Sequence, residues 1–200
     1  MKNLFVKNAT FLLAVMTLLL GSSACNDNGN IAEPSIDPPL VALNYDSDNQ
    51  DSPELPGATY EGAVKFPEEI MSTYEDNLLE GVYIFTQDLP QTATIKVYKG
   101  TLAGAPRELL YSQVITDELS RNSWNFHRLN RTIELDGSDL WLAFKFSHSD
   151  NLRVLGCDPG PAVADGDYLF DSSDSQWIKL SSRTANEINI NWNIRGVISP

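Results

Sequence analysis

Two histidines and two cysteines in 200 residues are little material for metal catalysis or for a disulfide framework. The sequence also has no HExxH, no GxSxG, no phosphate-binding loop, no GxGxxG and no CxxC. The common signatures of zinc and serine hydrolases, nucleotide-binding proteins and dithiol enzymes are therefore missing. Paired carboxylates carry no signal among 27 acidic residues. These shortages argue for a protein that is not an enzyme. Basic residues are scarce too: 14 Lys and Arg give a net charge of −13. That balance excludes nucleic acid and anionic membrane surfaces as natural partners. Helical periodicity is confined to short stretches, and no internal repeat is visible.

One long apolar run exists. Residues 1–24 have a positive start (Lys2, Lys7), an apolar run from Phe11 to Leu20 and a small-residue stretch from Gly21 to Ala24. The run is shorter than the roughly 20 residues a membrane span needs, so the segment reads as a signal peptide. Cys25 follows directly on Ser22-Ser23-Ala24, and this arrangement resembles a bacterial lipobox, which implies lipidation at Cys25. Acyl chains hold a protein on a membrane without a transmembrane helix, at about 0.8 kcal/mol per buried CH₂. Ordinary cleavage after Ala24 is the alternative. Removing residues 1–24 takes away Lys2 and Lys7 and no acid, so the net charge of −13 becomes −15. Residues 25–41, with Pro34, Pro38 and Pro39, read as the lipidated cysteine and a flexible linker. Residues 42–200 are long enough for one sizeable core.

Short alternating runs fill those residues. Strands are expected near 41–45, 61–66, 79–86, 92–98, 108–115, 123–129, 132–135 and 140–146, with Asp136-Gly137 as a hairpin turn. In 140–146, Leu140, Leu142, Phe144 and Phe146 share one face, with Trp141, Ala143 and Lys145 on the other. In 188–195, Ile188, Ile190, Trp192 and Ile194 share one face, opposite Asn189, Asn191, Asn193 and Arg195. Both patterns predict strands with one face in a core. Pro67-Glu68-Glu69 predicts one short helix, with Ile70, Met71 and Tyr74 turned inward. The fold class is all-β, an antiparallel β-sandwich.

The pieces DGSDLWLAF, GCDPGPAVADGDYLF, QWIKL and NWNIRG resemble a β-sandwich module of surface and secreted Bacteroidetes proteins. That module is similar to the jelly-roll haemagglutinin and cleaved-adhesin domains of gingipain-type proteins. The resemblance spans roughly residues 42 to 200. It implies a jelly-roll-like, galactose-binding-domain-like sandwich. The lipidation signal places it on the outer membrane, facing the cell exterior, as a cell-surface lipoprotein with a non-catalytic binding or adhesion role. A glycan-binding accessory lipoprotein of a polysaccharide-uptake system is the alternative, and a structural subunit of a surface assembly is a third reading. The partners are then the membrane, through the lipid anchor, and an extracellular protein or glycan.

Candidate site residues lie in and around the Gly- and Pro-rich loop after Gly156. Asp158, Asp165 and Asp167, with exposed loop carbonyls, are the oxygen set that calcium takes. The adhesin resemblance points to calcium as well. Asp side chains satisfying turn amides is the other reading of the same residues. Trp141 and Trp177 are candidate stacking platforms for a ligand. Asn191 and Arg195 stand on a candidate polar recognition face, which also reads as a plain solvated sheet face. Cys157 reads as a small buried residue. A nucleophilic role would need His127 or His148 beside it. The run Asp46, Asp48, Asp51 suggests a calcium loop but lacks EF-hand spacing.

Overall fold

The computed structural model describes residues 40–200. The expected signal peptide, Cys25 and most of the linker lie outside the described residues. Among the described residues no helix is long and apolar enough to cross a membrane.

The chain forms an antiparallel β-sandwich. One sheet has four strands in the order β1-β10-β3-β6, and the other has six in the order β5-β4-β7-β2-β8-β9. In chain order they are β1 (Val41–Leu43), β2 (Ala58–Phe66), β3 (Leu78–Thr86), β4 (Thr92–Leu102) and β5 (Ala105–Val114), then β6 (Ser123–Glu134), β7 (Leu140–His148), β8 (Tyr168–Asp171), β9 (Gln176–Lys179) and β10 (Ile194–Ser199).

The alternation of β7 explains its central place. Leu140, Leu142, Phe144 and Phe146 are buried between the sheets. Phe144 pairs with Ile95 on β4 and with Gly62 on β2. Leu142 pairs likewise with Val97 and Val64. From the four-stranded sheet, Leu79, Val82, Ile84, Ile194 and Ile198 close the same core. Gly62 is required by close approach, because a Cβ there would collide with the Leu155 side chain.

The expected helix is α1 (Glu68–Met71), capped by Pro67 and continued by a 3-10 turn over Ser72–Tyr74. Met71 is fully buried, and Ile70 and Tyr74 pack on the core from its edge. The Glu68 amide donates to Asp139 Oδ1 at 2.9 Å, which satisfies one exposed helix donor. A second four-residue helix, α2 (Leu180–Arg183), begins where the QWIKL strand ends.

Two expectations about strand bounds differ from the structure. The separate strands at 123–129 and 132–135 are one continuous β6, whose register with β3 shifts between Leu79 and Gly81. The last strand begins only at Ile194, and residues 188–193 are irregular apart from one bridge, Cys157 to Trp192. Scattered backbone bonds to Phe85, Gly156, Asp158 and Gly166, together with bonds to the buried carboxylates of Asp46 and Asp158, hold that segment in place of a regular ladder.

Candidate functional site

Three segments meet at one end of the sandwich: 46–54, 153–160 and 187–193. Isolated bridges from Cys157 to Asp51 and to Trp192 stitch them. Gln50 N donates to Cys157 O at 2.9 Å, Cys157 N to Asp51 O at 2.8 Å, and Asp158 N to Asn191 O at 3.0 Å. Between the segments lies an open groove of about 660 Å³. That volume falls in the usual range for ligand sites, about 300–1,000 Å³. Its lining mixes apolar side chains, Pro53, Pro159, Ile188 and Ile190, with the charged Asp51, Glu54, Asp158, Glu187 and Arg153.

Asp158 is the anchor of this end. Its carboxylate accepts from the amides of Asn191 (2.8 Å), Gly160 (2.8 Å) and Ser47 (3.2 Å), and from Asn191 Nδ2 at 3.0 Å. Burial alone would push its pKa up, but those donors outweigh burial and hold the carboxyl below the usual carboxylate range. Arg153 is the only base in the groove lining. It donates to Asp51 at 2.8 and 3.1 Å and to Ser52 O at 3.3 Å, and Glu54 stands 3.8 Å from it. Ser52 borders the same groove but is fully buried, and its hydroxyl has no hydrogen-bond partner among the described residues.

Behind the groove a second polar knot ties the last strand to the N-terminal loop. Asp46 Oδ2 accepts from Asn193 Nδ2 and from Arg195 Nε, both at 2.8 Å. Arg195 also donates to Ser47 O at 2.7 Å and lies 4.1 Å over the Trp124 ring. That is a cation–π contact added to an ion pair.

The residues expected to form sites are placed as follows. Trp141 is fully buried. It sits with Ala63 and Ala143 beneath Tyr98, Tyr168 and Trp177. It is therefore closed to a ligand, because side chains of other strands of the same sheet, Tyr98 on β4, Tyr168 on β8 and Trp177 on β9, pack around it on that face. Trp177 is half-buried, edge-on to Trp141 at 5.9 Å. Asn191 is 3% exposed and spends its side chain on Asp158, Pro161 O and the Val163 amide. Most of the expected recognition row thus turns inward: Asn193 is fully buried and Arg195 is committed to Asp46, while Asn189 is exposed and lines the groove.

The three loop carboxylates serve different partners. Asp158 holds the amides just described. Asp165 sits 3.3 Å from Lys65 and 3.7 Å from Lys179 and accepts from Tyr168 OH. Asp167 is fully buried, accepting from the Ser181 amide at 2.8 Å, with Oδ1 unpartnered. Among the described residues no group of three or more acidic, His or Cys side chains is placed to hold a metal ion. Calcium does not fit the set Asp158, Asp165 and Asp167, which forms no common oxygen shell.

Cys157 is a free, buried thiol. Burial, followed by the charges of Asp51 and Asp158, pushes it up to about 12. Neither histidine reaches it: His127 bonds Tyr111 OH and Glu118, and His148 Nδ1 bonds Asp150 O. The arrangement a nucleophilic cysteine needs is not assembled.

Sequence reasoning passed over Arg153, Glu54 and Glu187. It noticed Asp46 and Asp51 only as a weak calcium pattern. Their shared signal was a cluster of charges in three irregular stretches, which becomes a groove only when those stretches meet. A smaller apolar hollow of about 300 Å³ lies on the other sheet, lined by Leu40, Val41, Tyr83, Phe126 and Arg128. Comparisons of the chain with protein-family models, with curated proteins and with solved structures find no match.

Proposed function

We propose that this protein is a lipid-anchored surface protein whose sandwich serves non-catalytic binding or adhesion through the groove at the 46–54, 153–160 and 187–193 end. The observation that carries this reading is the groove itself, a 660 Å³ opening lined by both apolar and charged side chains. The absence of an activated nucleophile at Cys157 agrees with a binding role. Cys25 supplies the anchor, and the outer membrane, exterior face, is the place where such a module acts. The sequence resemblance to adhesin modules points the same way.

Binding of a protein is favoured over binding of a glycan. None of the groove's lining residues is aromatic. Trp141 and Trp192 are buried, Trp177 packs edge-on against Trp141, and Trp124 lies under Arg195. Sugar rings are therefore left without an open stacking face in the groove. The structural-subunit reading has one observation in its favour, the hollow holding exposed Tyr83 and Phe126, whose rings lie 4.6 Å apart.

The test is adhesion of cells displaying the full chain to protein-coated and glycan-coated surfaces. Glu187→Arg, at the exposed rim, abolishes adhesion to protein while display is kept. Adhesion unchanged by this variant would remove the groove from the account. Replacing Cys25 by Ser releases the chain from the membrane fraction, and retention there would refute the anchor.

A further inference from the structure

The charges of the groove and the bonds they already make differ in a way that selects a ligand. Four carboxylates, Asp51, Glu54, Asp158 and Glu187, face a single base, Arg153. Arg153 is already neutralised by Asp51 and, at longer range, by Glu54. Asp158 is consumed by backbone amides. Glu187 is exposed and forms no ion pair among the described residues. The charge left for a ligand is therefore negative, and no free base remains for an anion. The same lining holds the apolar side chains Ile188, Ile190, Pro53 and Pro159.

We propose that the groove takes an extended protein segment that alternates apolar and basic side chains. This rests on the groove being the binding site. The apolar side chains of the ligand cover Ile188 and Ile190, and its Lys or Arg side chains reach Glu187 and Glu54. Strand-like alternation suits the site, because successive side chains of an extended segment point to opposite sides. Association is salt-sensitive, since exposed carboxylates supply the attraction.

The experiment titrates the full chain with three probes. They are a labelled pentapeptide alternating Leu or Val with Lys, its counterpart with Glu in place of Lys, and cellohexaose. The Lys peptide binds, more weakly as salt rises, and the Glu peptide and cellohexaose do not. Glu187→Gln weakens the Lys peptide about two- to fivefold, the scale of an exposed ion pair. Arg153→Gln releases Asp51 and strengthens it by a similar factor, with circular dichroism confirming the fold, and Glu54→Gln weakens it without touching the Arg153–Asp51 pair. Weaker binding in a folded Arg153→Gln chain, or preference for the Glu peptide, would overturn the proposal. Cellohexaose binding that Glu187→Gln abolishes would overturn it too but would keep the groove as the site. Lys-peptide binding indifferent to all three substitutions would place the contact elsewhere and overturn both readings.

Discussion

Strand β7 and the segment 188–195 carry the same alternating pattern and are held by different forces. In β7 the apolar face is buried between two sheets, and both neighbours, β2 and β4, pair with it along its length. In 188–193 the apolar face is also buried, with Trp192 fully enclosed and its Nε1 donating to Tyr168 O at 2.9 Å. The opposite faces are where the two diverge. On the outer face of β7, the rings of Tyr98, Tyr168 and Trp177 from other strands of the same sheet cover Trp141. Behind 188–195, Asp46 and Asp158 bind Asn193, Arg195 and Asn191 from within. Alternation says which residues share a face. It does not say whether the second face meets water, rings or buried carboxylates.

The largest test of this comparison is Trp192→Ala. Emptying a buried site of that size costs about 3–5 kcal/mol in denaturant titration. A loss below about 1 kcal/mol would mean that residues 188–193 contribute little to the core.

Asp158→Ala comes next, at about 2–3 kcal/mol, because several buried donors lose their acceptor. The pH dependence has a definite sign. Asp158 is depressed in the folded state, so its contribution is full above the unfolded carboxyl value of about 3.9 and is lost as pH falls through the lower folded value. The gap between wild type and Asp158→Ala therefore closes below about pH 4. A gap that stays constant into acid would show that the carboxylate is not charged in these bonds.

Cys157 gives a kinetic test of how tightly the stitched end stays shut. With its thiol raised to about 12 and buried, native protein resists iodoacetamide at neutral pH, and labelling follows unfolding. The linkage sign is alkaline: the neutral buried thiol stabilises fully below the unfolded value of about 8.5, and this is lost as pH rises toward the folded value. Rapid labelling of folded protein would show that the 46–54 segment opens independently of the sandwich.

The smallest effect is ionic. With Asp158, Asp165 and Asp167 engaged by separate partners, millimolar calcium and magnesium shift the melting temperature equally, by screening the acidic chain. A larger shift with calcium, reduced in Asp158→Asn, would restore a shared site in that loop.

Composition and period-2 patterning determined the all-β class and the core face of β7, and Pro67 with the acids after it marked the short helix. These follow from local chemistry, since a strand's side chains alternate whatever the strand packs against. Sequence also suggested Cys157 as a buried residue. Tertiary structure alone decided that Trp141 is covered, that Asn191 and Arg195 look inward, and that Asp51, Glu54, Arg153 and Glu187 share one groove. Those residues are up to 136 positions apart, Asp51 to Glu187. Their meeting depends on three irregular segments that no period describes. What joins them is a set of isolated backbone bridges through Cys157 and the buried carboxylates of Asp46 and Asp158 bonded to distant donors, and a sequence shows such bonds only as residues far apart.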